Sequence, residues 1–179
     1  MTTIYCSQKL EKFLGGVDKK TVAAEESPLG DWNGHSFHVN GKRCLLFLNS
    51  RTCYSLLITA ILKKRLVNFP DFFRERLVRQ LNDDFSLTEG TEILVRRRLW
   101  EIAICSTNNN RSVTSTMNQH VSALPHYALR FGPVDTWNDI AMSGVLNEAP
   151  VSAKVWANKG TPGYFLPKEA MAELLATLK

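Results

Sequence analysis

The chain has 179 residues, of which 44% are hydrophobic and 22% charged, a composition that excludes a wholly disordered protein. Its length is that of one ordinary domain and leaves no room for a second full one. Lys and Arg number 22 against 17 Asp and Glu, a net charge of +5. That charge favours anionic partners but falls short of the charge density of a protein that wraps DNA.

The N-terminal sequence and the hydrophobic runs predict a cytoplasmic protein that does not associate with membranes. Residues 1–6 lack the basic and apolar regions of a secretory signal, and no run approaches the ~18 apolar residues of a membrane span. The cysteines contain no C-x-x-C pair, and each lies in a run typical of a strand: Cys6, Cys44, Cys53 and Cys105. We therefore expect buried, reduced thiols rather than disulfides or a zinc site.

The N-terminal segment predicts a short strand followed by a helix. Residues 3–6 form a β-type run, and Ser7 is a suitable N-cap for a helix over Gln8–Leu14. Gly15-Gly16 ends this helix. The polar residues that follow make 15–30 an exposed connection.

A three-stranded antiparallel meander comes next. Asn40-Gly41 supplies the two residues with positive φ that a type I′ hairpin requires, between strands over 36–39 and 42–48. A third strand is expected over Thr52–Ile58. Residues 45–48 are apolar at both parities, so the middle strand is expected to be covered on both faces.

Apolar residues at helical spacing predict two helices after the meander. One opens at Asp71 and runs past Leu81, with Pro70 tolerated at its start. The second extends from Leu87 to about Arg98, because Ser86-x-x-Glu89 matches a capping box. Alternation over Trp100–Ser106 predicts another strand.

The C-terminal part is mainly helical. A helix from about Ser112 is ended or kinked by Pro125, and Asp135 or Thr136 can cap another up to about Leu146. A loop-rich segment over 147–167 precedes the last helix, Lys168 to Leu178. Strands early and helices late predict an α+β fold. We expect one domain over 1–179, with an antiparallel sheet of about four strands packed by about five helices.

The sharpest candidate site is the strand–loop–helix unit over 101–117. Free N–H groups at a helix N-terminus, the positive end of the helix dipole and an adjacent arginine make a ready anion site. A bound phosphate is expected to be held by the backbone amides near Ser112–Thr114, by Arg111, and by the hydroxyl of Thr107 or Ser115. The alternative is structural, with Asn110 acting only as an N-cap, Arg111 solvated and Asn108-Asn109 forming a turn.

Two basic clusters provide possible electrostatic support for an anionic ligand. They are Lys63-Lys64-Arg65 and Arg96-Arg97-Arg98. Their functional interpretation is contact with a phosphate backbone; the alternative is an ordinary solvated surface. The sequence contains no recognition-helix, RNP or zinc-finger pattern.

Catalytic and metal motifs are weak. The histidines His35, His38, His120 and His126 lack the spacing of a metal site, and we expect neither a metal nor a cofactor. No Gly-x-Ser-x-Gly elbow occurs. The one coherent enzymatic arrangement is of ribonuclease type, with His120 as base and Arg111 as phosphate clamp, so whether the protein is an enzyme stays open.

The chain resembles a group of bacterial proteins known only as a domain of unknown function. The resemblance covers nearly the whole chain and rests on six segments: Cys6–Leu10, Trp32–Val39, Cys44–Asn49, Asn110–Asn118, Leu146–Pro150 and Pro167–Ala170. In one respect the sequence departs from the family pattern, because Ser115 stands where the pattern has glycine. If that glycine lets a ligand approach the helix backbone, Ser115 puts the close approach in question.

The resemblance implies a compact bacterial or phage-borne domain and points to Asn110, Arg111, Ser112 and Asn118 as functional candidates. It implies no activity. Three hypotheses follow. The first is a binding module for nucleic acid or a phosphorylated small ligand. The second is a small nuclease or phosphotransfer effector using the same pocket. The third is a protein-interaction module, such as a mobile-element or phage inhibitor of a host or defence protein.

Overall fold

A mixed β-sheet is the centre of the fold in a computed structural model that describes residues 1–17, 27–152 and 163–178. Across these residues the sheet has five strands in the order β4-β3-β2-β1-β5. The strands are β1 (Thr2–Cys6), β2 (Trp32–Val39), β3 (Lys42–Asn49), β4 (Ser55–Ile58) and β5 (Ile102–Ser106). The α+β class predicted from the sequence is confirmed.

The predicted meander is confirmed in detail. Strands β2 and β3 pair antiparallel, with Val39 opposite Lys42, and Asn40 and Gly41 both adopt the positive φ that the tight turn requires. Strand β3 pairs antiparallel with β4 on its other side. Residues 45–48 are fully buried, because both faces of the middle strand are covered.

The prediction of a purely antiparallel sheet of about four strands is wrong in one respect. Strand β1 lies between β2 and β5 and is parallel to both, with Ile4 opposite Trp32 and Ile104. A parallel pair needs no local turn, so nothing in the short run at residues 3–6 indicates its partners.

Helices cover both faces of the sheet. The described residues contain six α-helices: α1 (Gln8–Leu14), α2 (Phe69–Phe85), α3 (Glu89–Arg98), α4 (Arg111–Phe131), α5 (Asp139–Asn147) and α6 (Pro167–Ala176). Two short 3₁₀ turns lie at Lys63–Leu66 and Val134–Thr136. The count of six in this part of the chain is close to the predicted total of about five.

Three helix boundaries differ from the prediction. Ser86 adopts a left-handed conformation and ends α2, so the N-cap of α3 is Thr88 rather than Ser86. Pro125 lies inside α4, which continues to Phe131. Asn138 caps α5, and its side chain accepts two backbone N–H groups of the first turn. At α3 and α5 a neighbouring polar residue, Thr88 or Asn138, takes the N-cap role that the pattern assigned elsewhere.

The two faces of the sheet carry separate hydrophobic cores. On one face, β-sheet residues such as Phe47 pack with Leu10 of α1, Phe73 of α2, Val95 of α3 and Met171 of α6. The other face packs against α4 and α5, as shown by this group: Leu46, Leu48, Val113, Met117 and Met142. Helices α1 and α4 therefore lie on opposite faces.

Helix α5 covers the outer edge of β4 with hydrogen-bonding side chains. Three of them accept alternate backbone N–H groups: Asp139 Oδ1 from Thr59 (2.9 Å), Ser143 Oγ from Leu57 (2.9 Å) and Asn147 Oδ1 from Ser55 (2.6 Å). Four helical residues advance about 6 Å and two strand residues about 6.6 Å, so the two spacings match. The helix thus replaces a neighbouring strand and blocks edge-to-edge pairing.

Two predicted connections fall partly outside the described residues. Of the connection over 15–30, the end that the structure describes includes Leu29, which is buried. Of the segment over 147–167, Val151 and Phe165 form an isolated antiparallel bridge. No helix of the described residues is long and apolar enough to cross a membrane.

Candidate functional site

The carboxyl ends of β1 and β5 define the candidate site. These neighbouring strands are parallel, with Cys6 opposite Ser106, so both end at the same edge of the sheet. Helix α1 follows β1 on one face, and α4 follows β5 on the other. In open sheets with parallel strands, ligands bind in the crevice at such a switch point.

A polar groove of about 640 Å³ opens where β5 passes into α4. Its lining residues are Thr107, Asn109, Arg111, Thr114, Ser115 and Asn118. Thr107, Arg111, Ser115 and Asn118 were expected from the sequence to bind a ligand, and the structure brings these four together. Asn109 and Thr114 complete the lining.

Asn110 serves as the N-cap of α4, as the structural alternative proposed. Its Oδ1 accepts the Val113 N–H at 3.2 Å, and its carbonyl accepts both the N–H (3.0 Å) and the hydroxyl (2.8 Å) of Thr114. Ser112 is half-buried and does not line the groove. The backbone N–H groups of Arg111 and Ser112 precede the first intrahelical bond of α4, and no acceptor for them is found among the described residues.

The electrostatics of the groove favour an anion. Arg111 is exposed and has no carboxylate within ion-pair distance in the described part of the chain. The first turn of α4 contains no acidic residue, so the positive end of its dipole is not neutralised locally. The carboxylate of Glu11 accepts a hydrogen bond from Ser106 Oγ at 3.1 Å, on the α1 side of the strand ends.

His120 does not line the groove. It is 6% exposed and points to the buried face of α4, because nine residues separate it from Arg111 and these make about two and a half turns. Burial lowers the pKa of His120 to about 4, and its Nε2 has no hydrogen-bond partner among the described residues. The structure therefore does not assemble the predicted pair of His120 and Arg111.

The arginine cluster lies at the opposite end of β5. Strand β5 has five residues, about 17 Å in length, and Arg96, Arg97 and Arg98 end the helix that precedes it. Arg96 forms ion pairs with Glu75 and Glu92, both at 2.7 Å, and these hydrogen bonds raise its pKa. Arg96 is therefore paired with carboxylates of the protein itself and does not contribute a side chain to the groove.

The lysine cluster lies beside α1 rather than α4. Lys63, Lys64 and Arg65 form an exposed 3₁₀ turn that contacts α1 and α2. Neither basic cluster lines the groove. The two clusters can therefore act on a ligand in the groove only through long-range electrostatic attraction. At 0.1 M ionic strength, salt largely screens such attraction beyond about 10 Å.

Sequence reasoning missed a hydroxyl–imidazole pair at the carboxyl end of β1. Ser7 Oγ and His35 Nδ1 lie 2.9 Å apart, and Ser7 Oγ also accepts the Leu10 N–H at 3.3 Å. Burial and, to a smaller extent, the nearby Lys9 lower the pKa of His35, which favours the neutral imidazole, and in that form either the hydroxyl or the ring nitrogen can donate the hydrogen bond. The N-cap role of Ser7 was predictable, but its contact with His35 depends on the parallel pairing of β1 with β2.

The cysteines are buried, as predicted, and form no disulfide. Burial raises the pKa of Cys6 to about 12 and that of Cys53 to about 11, so the thiolate nucleophile is scarce at neutral pH. Cys53 lies in the connection between β3 and β4, with a φ of 54°, and not in a strand. No group of three metal-ligating side chains occurs in the part of the chain that the structure describes.

Comparison with known proteins identifies a family and no characterised relative. Among curated proteins, none matches the chain. A family model matches residues 3–170, which is nearly the whole chain and agrees with the resemblance found in the sequence. The chain therefore belongs to the family described as a domain of unknown function, DUF6933.

Proposed function

We propose that this protein is a binding module for a phosphate-bearing ligand, the backbone of a nucleic acid, and that the groove at the start of α4 is its phosphate site. One observation supports this above the others. An exposed arginine and neutral side chains with hydroxyl and amide groups line one groove at the N-terminal end of α4, and that lining contains no carboxylate.

Each of these groups is suited to a phosphate oxygen. The guanidinium of Arg111 can donate two parallel hydrogen bonds, and the amides of residues 111 and 112 point from the positive end of the helix dipole. Thr107, Ser115 and Asn118 add neutral donors of the kind that contact phosphates in nucleic-acid complexes. Ser115 itself lines the groove, and a hydrogen bond from its hydroxyl to the ligand can compensate for the closer approach that a glycine would permit.

The shape of the groove favours a polymer backbone over a small ligand. All six residues that line the groove are polar and exposed. Small-molecule sites, in contrast, are usually enclosed and mainly apolar. Contacts to a nucleic-acid backbone are shallow and electrostatic. The net charge of +5 acts in the same direction. We place this activity in the bacterial cytoplasm, or in a cell infected by phage, as the sequence suggests.

Catalysis at this groove has weaker support. The nuclease alternative needs a base beside the phosphate, and His120 lies on the opposite side of α4. No specific contact favours the protein-interaction alternative. Binding without turnover is therefore the function that the geometry supports best.

The proposal is tested with labelled RNA and DNA, by fluorescence anisotropy across a salt series. The variant is Arg111→Ala, and the matched control is Arg130→Ala, which removes the same charge from the exposed far end of the same helix. We expect Arg111→Ala to weaken binding similarly for all sequences and to reduce the salt slope by about one. Equal affinities for the two variants, or binding that does not depend on salt, would contradict the proposal.

A second measurement locates the phosphate site without any nucleic acid. In a titration with orthophosphate followed by NMR, the amide resonances of residues 111–115 are expected to shift in the wild-type protein and not in Arg111→Ala. Shifts confined to another part of the chain would place the anion elsewhere. Because orthophosphate carries no base, this measurement tests phosphate binding independently of any contact with nucleic-acid bases.

A further inference from the structure

Trp100 is an exposed aromatic residue beside the arginine cluster Arg96–Arg98, and neither Trp100 nor this cluster lines the α4 groove. It follows the fully buried Leu99 and precedes β5, and 75% of its surface is exposed. Tryptophan is usually well buried, because its indole offers a large apolar area. An indole held at the surface therefore requires an explanation.

The backbone that carries Trp100 is held in place. Arg74 Nε donates to the carbonyl of Leu99 at 2.9 Å, and Arg74 Nη2 donates to the carbonyl of Trp100 at 2.8 Å. The same guanidinium lies 5.7 Å from the centre of the indole ring, and Asp71 forms an ion pair with it. Because this backbone is already ordered, binding to the indole costs less conformational entropy than binding to a mobile side chain.

Trp100 lines two cavities. One cavity of about 320 Å³ is lined by Arg74, Glu75, Arg96, Arg97 and Trp100. A second, of about 300 Å³, is lined by Met1, Pro28, Arg97, Arg98, Trp100 and Glu101. Trp100 and Arg97 belong to both cavities, so a ligand in either one meets the same aromatic and cationic pair.

The charges around Trp100 are not equally available to a ligand. Arg74 is paired with Asp71 and Arg96 with two glutamates. Arg97 is exposed and has no carboxylate within ion-pair distance in the described ranges. Besides the exposed Glu101, which lines the second cavity, there remains an aromatic surface beside the cation Arg97, a pair that complements a base attached to a phosphate.

We propose that Trp100 is a base-stacking platform for single-stranded nucleic acid and that Arg97 contacts a phosphate next to the stacked base. The inference rests on the proposed function and specifies its ligand class, because only an unpaired strand can present the face of a base to an indole. The preference is for single strands over duplexes and is independent of base sequence, since every base has an aromatic face.

This platform and the α4 groove are separable sites. They lie at opposite ends of β5, about 17 Å apart along the strand. Arg111 contributes a contact to phosphate alone, whereas Trp100 contributes a contact to bases alone. A ligand that has phosphates but no bases therefore distinguishes the two.

The experiment compares an oligothymidylate of roughly ten nucleotides with an abasic strand of the same length and with a duplex. Binding is measured for the wild type, Trp100→Ala, Trp100→Phe and Arg111→Ala, with Tyr164→Ala as a control that removes another exposed aromatic ring. We expect the wild type to bind the base-bearing strand about tenfold more tightly than the abasic strand. Trp100→Ala should abolish this preference, and Trp100→Phe should keep most of it.

The outcomes separate the two proposals. Equal affinity of the wild type for both single strands, equal or tighter binding of the duplex, or an unchanged preference in Trp100→Ala overturns the stacking platform. An Arg111→Ala variant that weakens both single strands equally supports the α4 groove in every one of these cases. If no oligonucleotide binds at low salt, the platform is wrong, and the orthophosphate titration alone decides whether the groove holds phosphate.

Discussion

Replacing Asn147 by alanine should strongly destabilise the fold, although this residue makes no contact with the candidate site. Asn147 and Ser55 are both fully buried. The Asn147 side chain accepts the Ser55 N–H at 2.6 Å and donates to the Ser55 carbonyl at 3.1 Å. These two bonds are the ones a neighbouring strand would make with the edge of β4.

The expected magnitude follows from the two groups left without partners. A buried donor or acceptor that loses its partner costs about 1–3 kcal/mol, so Asn147→Ala should lower the free energy of unfolding by about 2–6 kcal/mol. In a protein of this size, 1 kcal/mol shifts Tm by about 2–4 °C. Asn147→Asp should be destabilising as well, because a carboxylate keeps the acceptor for Ser55 N–H but faces the Ser55 carbonyl with a negative charge.

The assay is urea unfolding followed by circular dichroism, with Asn118→Ala as the matched control. Asn118 is exposed on α4, so its replacement should change stability by no more than about 0.5 kcal/mol. A loss of less than about 0.5 kcal/mol in Asn147→Ala, or a fully stable Asn147→Asp, would refute the view that α5 completes the edge of the sheet.

Two further predictions concern buried positions. Because the unfolded chain binds a proton at His120 near pH 6.5 and the folded chain only at about pH 4, the free energy of unfolding should fall by up to about 3 kcal/mol as the pH drops through this range. Thermal unfolding across pH should show a shallower acid slope in His120→Leu, and an unchanged slope would disprove the assignment. At Gly34, a Cβ would lie 2.6 Å from Leu10 Cδ2 and 2.7 Å from Phe47 Cε1, so Gly34→Ala should cost about 1–3 kcal/mol in urea unfolding. Gly90→Ala, which meets nothing within 4 Å, should instead stabilise α3 by up to about 1 kcal/mol, and similar effects at both glycines would contradict the packing.

Local signals account for the elements that could be predicted. The Asn40-Gly41 turn, the N-cap of α1 at Ser7 and the start of α4 at Asn110 each depend on a few consecutive residues. Their hydrogen bonds are formed within the same short segment, so the pattern of residue types is sufficient to predict them. The same holds for the groove, whose lining comes from residues 107–118 alone.

The separation of His120 from the groove is also a local property. Residues on one helix have fixed relative directions, and the 3.6-residue period places His120 opposite Arg111. Helical periodicity applied to this pair would have shown that they cannot share a ligand. The separation of the arginine cluster from the groove is local as well, because the strand predicted over Trp100–Ser106 lies between them and holds its two ends apart.

Contacts between distant segments were decided by tertiary structure. Asn147 meets Ser55 across 92 residues and Ser7 meets His35 across 28, and neither pairing follows from any spacing in the chain. The Leu146–Pro150 element resembled a family signature in the sequence, but only the fold shows that its asparagine completes the edge of β4. Turns and caps are determined by local backbone energetics, so the sequence alone predicts them. Strand partners depend on burying both faces of one sheet, which is a property of the whole chain.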